Sequence, residues 1–229
     1  SYRHLSIGKL IGEISEGING PCGLMAARSE VLTQEALERG FPEQFIKGLE
    51  IIKKSSHQLA QITKTLSTLS KHQGYEMKPL DLNQLVEENV LLMERGFKER
   101  GIKVEKSLMP CLPLIQGDPY ELKGVLINLI SNAMDALPRG GTIVISTQLA
   151  SSNGGVVECT ITDNGGGIPK ENLERIFNPF FTTKQNTGGI GLGLSTSLSV
   201  MKKYNGLITV KSRVGEGASF SLSFPSHRA

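Results

Sequence analysis

The chain has no tryptophan, its aromatic residues make up only 5% of the total, and three of its 229 residues are cysteine. Each scarcity excludes something. Cys22, Cys111 and Cys159 are odd in number and scattered, so they do not read as a disulfide framework and suit a reducing compartment. No CxxC or Cys/His cluster points to a metal centre. No apolar run approaches the ~18–20 residues that a helical membrane span needs, and the N-terminal residues do not read as a secretory signal. The net charge of +3 is mild, and no basic run or aromatic-interleaved basic patch argues for nucleic acid. We therefore expect no nucleic-acid partner, no membrane segment in this chain and a cytoplasmic location. Because the chain opens on Ser1, any sensor or membrane-bound part is expected upstream.

Glycine, by contrast, is plentiful, with 26 residues. It concentrates in Asp163–Leu194, DNGGGIPKENLERIFNPFFTTKQNTGGIGLGL, where two clusters flank a Phe/Pro/Thr/Lys segment. Glycines at that density let backbone N–H groups approach a phosphate and permit turns with φ > 0. The second cluster, Gly188–Leu194, opens a helical pattern that runs to about Tyr204, and a helix N-terminus favours anions. Either cluster alone could be an ordinary loop. Together they point to a nucleotide site. The dinucleotide reading fails on context, since GGIGLG follows a polar loop and not a strand.

The first third reads as a helical hairpin. Ile7, Ile11, Ile14, Ile18, Cys22, Met25 and Leu32 keep a 4-3 spacing, as do Phe45, Leu49, Ile52, Leu59, Ile62, Leu66 and Leu69. Arg39-Gly40-Phe41-Pro42 breaks the two helices with a Gly cap and a Pro start. Such a hairpin cannot bury both stripes alone, and pairing with a second copy into a four-helix bundle is the expected solution. Gly8, Gly12, Gly17, Gly20 and Gly23 each weaken helix 1, and Pro21 should kink it. His4, His57 and His72 read as solvated residues.

The remainder reads as α/β. Asp81 caps a helix over about Leu82–Arg100, and Ile102–Leu108 alternates as a strand. Asp118-Pro119 starts a helix that runs to about Leu137. Strands follow at Thr142–Leu149 and Val156–Thr162, and Leu207–Ser212 with Ala218–Phe224 forms a hairpin about Gly215–Gly217. The expected class is α+β: a helical hairpin over residues 1–73, then an α/β sandwich over 74–229 with a mixed sheet and three helices on one face. Asn128 and Asn132, four apart in a buried stripe, look like paired oxygen ligands for a hard cation such as Mg²⁺ held on phosphates.

Taken in order, Asn128/Asn132, Asp163-x-Gly165-x-Gly167, Phe177–Lys184 and Gly189-x-Gly191-x-Gly193 resemble the N, G1, F and G2 boxes of a sensor histidine kinase of the nitrogen-regulatory type. The hairpin resembles the dimerisation and phosphoacceptor domain that precedes them. The resemblance implies that the chain binds ATP with Mg²⁺, forms a homodimer and has a response-regulator receiver domain as partner. It implies that Asp163 accepts from the adenine amino group, over a loop shaped by Gly165 and Gly167. Asn128 and Asn132 would lie by the triphosphate, Asn132 as the leading Mg²⁺ ligand. Residues 178–188 would form a lid with Phe177 and Phe180 as its apolar hinge. Thr183, Lys184 and the backbone around Gly189, Gly191, Gly193 and Leu194 complete the nucleotide-binding set.

The chain departs from the family at the acceptor motif, roughly His-Glu-Ile-x-Asn-Pro-Leu. Glu16-Gly17-Ile18-Asn19-Gly20-Pro21-Cys22 stands there, with Glu16 at the acceptor position. A carboxylate, anionic at pH 7, lacks the neutral nitrogen lone pair of imidazole. Ordinary autophosphorylation at position 16 is not expected. The alternative expectation is a non-catalytic, ATP-gated pseudokinase scaffold.

Overall fold

The computed structural model describes residues 2–70, 77–150, 155–183 and 191–226. The chain divides into two compact units, a helical hairpin and an α/β unit.

The hairpin consists of α1 (Tyr2–Glu38) and α2 (Glu43–Ser70). Helix α1 continues through Pro21 and all five glycines. The seam between the helices is made of small residues. Cys22, Ala26, Ser29 and Ala36 of α1 are buried, as are Leu49, Ser56 and Thr63 of α2. The seam hydroxyls are satisfied locally: Ser29 donates to the Met25 carbonyl at 2.7 Å and Ser56 to that of Ile52 at 2.8 Å. Thr63 also bonds Asn19 across the seam, and Lys53 pairs with Glu30 at 2.8 Å. Beside Lys53, the Glu30 carboxyl is held below its ordinary value.

The single apolar stripe expected on each helix is divided in two. Ile18, Met25, Phe45, Ile52 and Leu59 belong to those stripes but remain exposed. An apolar face wider than ~100° has room for two neighbours, and only the inner part of it meets the other helix.

The α/β unit holds β1 (Lys78–Leu80), α3 (Leu82–Arg100), β2 (Ile102–Leu108), β3 (Ile115–Gly117) and α4 (Pro119–Asp135). There follow β4 (Gly141–Ala150), β5 (Val156–Asp163), the single turn α5 (Lys170–Leu173), α6 (Gly193–Lys203), β6 (Leu207–Arg213) and β7 (Gly217–Pro225). The main sheet has the order β2-β4-β5-β7-β6, with β2 parallel to β4 and every other pairing antiparallel. β1 and β3 form a small separate ribbon.

Alternation along β5 and β7 sends Val157, Cys159, Ile161, Ala218, Phe220, Leu222 and Phe224 inward. There they meet the buried stripes of α3, α4 and α6 in one core. The opposite face is polar, with Thr160 and Thr162 bonded to Ser221 and Ser219 at 2.9 and 2.8 Å. This is the mixed sheet with three principal helices on one face that the sequence implied.

Helix α4 is the centre of that core. Asp118 caps it, accepting from the N–H groups of Tyr120 and Glu121 at 2.7 and 3.3 Å, and Pro119 occupies the first turn. Both features fix its start. Leu122, Val125, Leu126, Leu129, Ile130, Ala133 and Met134 are buried. Helix α3 has Asp81 as N-cap and Gly101, at φ 64°, as its left-handed C-cap.

Candidate functional site

Asp163 ends β5 and is buried at 4% exposure. A buried carboxylate is costly unless it is hydrogen-bonded, and its Oδ1 accepts from the Gly165 N–H at 2.8 Å. The loop that follows is compressed from two sides. A Cβ at Gly165 would lie 2.5 Å from the Ala136 carbonyl oxygen, and one at Gly167 would lie 2.1 Å from that of Arg213. Gly167 also has φ +71°, so both space and conformation require glycine there.

The β6–β7 turn clamps this loop. Gly215 donates to the Gly166 carbonyl at 2.8 Å, Ile168 N–H donates to Ser212 Oγ at 2.8 Å, and Ser212 Oγ donates to the Gly217 carbonyl at 2.6 Å. Asn164 ties the loop to the start of β4, since its Oδ1 accepts from Thr142 N–H at 2.8 Å. Asn164 and Ser212 were not singled out by the sequence. An Asn directly after a strand-end Asp is a turn former, and that was the available signal.

On α4, Asn128 and Asn132 lie one turn apart, both half-buried, and their surroundings differ. Asn128 Nδ2 donates to Ser197 Oγ of α6 at 2.9 Å. A Cβ at Gly193 would lie 2.1 Å from Asn128 Oδ1. Asn128 therefore packs against the first turn of α6, and Gly193 is required to be small. The Asn132 amide has no protein hydrogen-bond partner among the described residues. The two asparagines, which the sequence presented as a matched pair, divide into one that joins helices and one whose amide remains available.

Around the Phe/Pro segment the two phenylalanines expected to form the hinge have different surroundings. Phe177 is half-buried against the core. Phe180, expected to share that role, is 66% exposed and has φ +66°. Its neighbour Phe181 turns inward to the core instead, with the Arg175 guanidinium 4.7 Å over its ring. A left-handed bulky residue is uncommon, and that turn of the backbone exchanges which phenylalanine faces in. Thr183 is exposed. Lys184 and Gly189 lie outside the described residues. Gly191 has φ +72°, and α6 begins at Gly193 with Leu194 set against the core. Glu16 falls on α1, and its side chain lies outside the described ones.

Two buried groups titrate away from their ordinary values. Burial pushes the Cys159 thiol, inside the sheet core, up to about 12. Burial, reinforced by Glu121, also raises the Tyr204 hydroxyl.

Residues 117–228 match the family described as histidine kinase-, DNA gyrase B-, and HSP90-like ATPase. The solved catalytic domain of histidine kinase ThkA is 31% identical. The alignment covers 66% of this chain and 96% of that domain, with a TM-score of 0.59. The chain belongs to the histidine kinases. Sensor histidine kinase ZraS of Escherichia coli (strain K12) is 30% identical over 221 residues, which is 96% of this chain and 46% of that protein. This histidine kinase chain thus spans about half the length of the curated relatives it matches. A structure of ThkA in complex with the response regulator protein TrrA shares the fold across 99% of this chain and 65% of that one, at a TM-score of 0.69 and 24% identity. Among the described residues, no helix is long and apolar enough to cross a membrane.

Proposed function

We propose that this chain is the catalytic core of a two-component sensor histidine kinase, with residues 1–73 as the dimerising hairpin and 74–229 as the ATP-binding domain. The carrying observation is the buried Asp163 at the end of β5, beside a loop in which neither Gly165 nor Gly167 has room for a side chain. A fixed acceptor at the rim of such a loop suits the amino group of adenine. The phosphates then extend toward Asn132 and the N–H groups of Gly193 and Leu194 at the start of α6, and the resemblance to the family adds Thr183, Lys184, Gly189 and Gly191 to the nucleotide-binding set.

The donor set fits Mg²⁺. Hard cations of this size take carbonyl, water and phosphate oxygens, and the available Asn132 amide supplies one such oxygen, with Asn128 next along the helix. When bound, the ion neutralises charge on the transferring phosphate. The chain itself supplies orientation: Asp163 fixes the base, and the helix dipole of α6 favours negative charge where the phosphates lie.

The exposed apolar residues of α1 and α2 support a homodimer closed as a four-helix bundle. The expected recipient of the phosphoryl group is an aspartate on a response-regulator receiver domain. Glu16, Gly17 and Gly20 at the acceptor motif favour a second reading, in which the nucleotide site is intact but the chain acts as an ATP-gated scaffold. Incubation with γ-³²P-ATP separates the two when Glu16→His is run beside the parent chain. Label on the variant alone supports kinase machinery that lacks only its acceptor, whereas label on neither supports the scaffold. Calorimetric titration with ATP analogue and Mg²⁺ tests the site itself. Asp163→Asn should abolish the heat seen with the parent, and identical negligible heat from both chains would sink the nucleotide reading.

A further inference from the structure

Helices α4 and α6 carry the phosphate side of the proposed site, and two joints hold them together. One is Asn128 to Ser197. The other lies seven positions earlier on α4 and seven positions later in the chain from Ser197, where Glu121 meets Tyr204 and Lys203. The pairing order makes the helices antiparallel. Seven residues is about two turns, or ~10.5 Å of rise, so both joints fall on the same facing stripes.

The second joint is built from polar groups that are mostly shielded from water, with the Lys203 side chain 33% exposed at its rim. Tyr204 is 4% exposed, and the Glu121 side chain is 11% exposed. The Tyr204 hydroxyl donates to Glu121 Oε2, and Lys203 Nζ lies 2.9 Å from both carboxylate oxygens. The same ammonium sits 5.3 Å from the Tyr204 ring centroid. Three apolar side chains would bury comparable surface without the desolvation cost of the charges. What the polar group adds is direction, because each hydrogen bond tolerates little sliding of one helix along the other.

We infer that Glu121, Lys203 and Tyr204 are positioning residues for Mg-nucleotide binding, acting about three helical turns from the phosphates. They fix the height of α6 along α4, and with it the separation between the Asn132 amide and the N–H groups of the first turn of α6. A metal on one helix and phosphates on the other can share a ligand only if that separation is held. The inference rests on the reading of this site as one for Mg-nucleotide.

The test is the coupling between metal and nucleotide. Kd for ADP is measured by calorimetry with and without Mg²⁺ on the full chain, on Tyr204→Phe and on Glu121→Gln. Thr147→Val, which breaks a remote ring of Asn83, Thr147 and Met109, serves as a control for general destabilisation. Urea unfolding establishes that each variant is folded. The Mg²⁺-free to Mg²⁺-bound Kd ratio should fall by about fivefold or more in the two joint variants, within the usual range of coupling between sites, and stay at the parent value in Thr147→Val. A merely structural joint would lower the urea midpoint and leave the ratio untouched in all three, which overturns the inference while the nucleotide site stands. A parent chain that binds no ADP under either condition overturns the site reading and this inference together. Because Glu121→Gln keeps an acceptor for Tyr204, it retains a fold even where Tyr204→Phe does not.

Discussion

The hairpin and the α/β unit handle their apolar residues differently. On α4, Leu129 and Ile130 are essentially inaccessible, and each turn of the helix adds to one closed core. On α2, Ile52 and Leu59 keep 48% and 45% of their surface exposed while the seam beside them is mostly Ala, Ser, Cys and Thr, with Leu49 as its one large buried side chain among the described residues. The α/β unit completes its own core from a single chain. The hairpin brings its helices close by using mostly small side chains and leaves many of its large ones facing outward. The comparison teaches that a 4-3 apolar spacing specifies a helix and a sticky face, but not which neighbour covers that face.

The largest expected effect lies in the closed core. Leu129→Ala removes a fully buried side chain at the centre of α4, and comparable truncations cost about 2–5 kcal/mol through lost transfer energy and the cavity left behind. Urea unfolding of the α/β unit should show a loss within that range. A loss near zero would mean that α4 is less enclosed than its burial indicates.

Gly167→Ala should follow, at more than ~2 kcal/mol. The left-handed backbone alone costs an L-residue roughly 1–2 kcal/mol, and the new methyl meets the backbone of Arg213, which cannot rotate away as a side chain could. The same substitution should reduce nucleotide heat in calorimetry, because the loop beside Asp163 must open to admit it. Gly124→Ala is the contrast, since a Cβ there meets nothing within 4 Å. It should be neutral or mildly stabilising, as expected for Ala over Gly in a helix.

Much of this is legible in the sequence, and the reasons are local. Asp118-Pro119 and Asp81 announced two helix starts because capping is a short-range interaction. The period-2 pattern of Val156–Thr162 announced β5 because one face of it is buried. Asp163, Gly165 and Gly167 were visible because backbone crowding selects glycine and leaves a trace in composition. Other features were not legible. β1 and β3 are three residues each, too short to alternate, and α5 is a single turn. The exchange of Phe180 for Phe181 depends on one positive φ, which an aromatic residue does not signal. The joint of Glu121 with Lys203 and Tyr204 spans more than eighty positions, and nothing in either segment marks the other.

A smaller effect should appear with pH. The Cys159 thiol titrates at about 12 in the folded chain against an ordinary value near 9.0. Between those values the unfolded state has lost a proton that the folded state keeps, so stability falls as pH rises through this window, by at most ~1.4 kcal/mol per pH unit from this group. Well below pH 9 it contributes no slope. Tyr204, raised in the same direction, adds to the fall above its own ordinary value. Cys159→Ala should flatten the alkaline limb of a stability–pH curve relative to the parent, although the substitution itself lowers the plateau.

The smallest effect on the chain itself should come from Ile52→Ala, and it bears most directly on the difference between the closed core and the open stripe. In dilute chain an exposed side chain has little to lose, and the change in unfolding free energy should stay within about 0.5 kcal/mol. Were Ile52 covered by a second hairpin, the same truncation would remove buried area at the joint and shift association. Sedimentation across a concentration series should then show the variant dissociating at higher concentration than the parent, with its urea midpoint at low concentration unchanged. If dilute stability drops as it does for Leu129→Ala, Ile52 is part of a closed core within one chain. If neither observable moves, the exposed stripe of α2 is not the face by which two hairpins meet. The two measurements therefore read the same methyl groups once within a chain and once between chains, and only a difference between them supports a bundle.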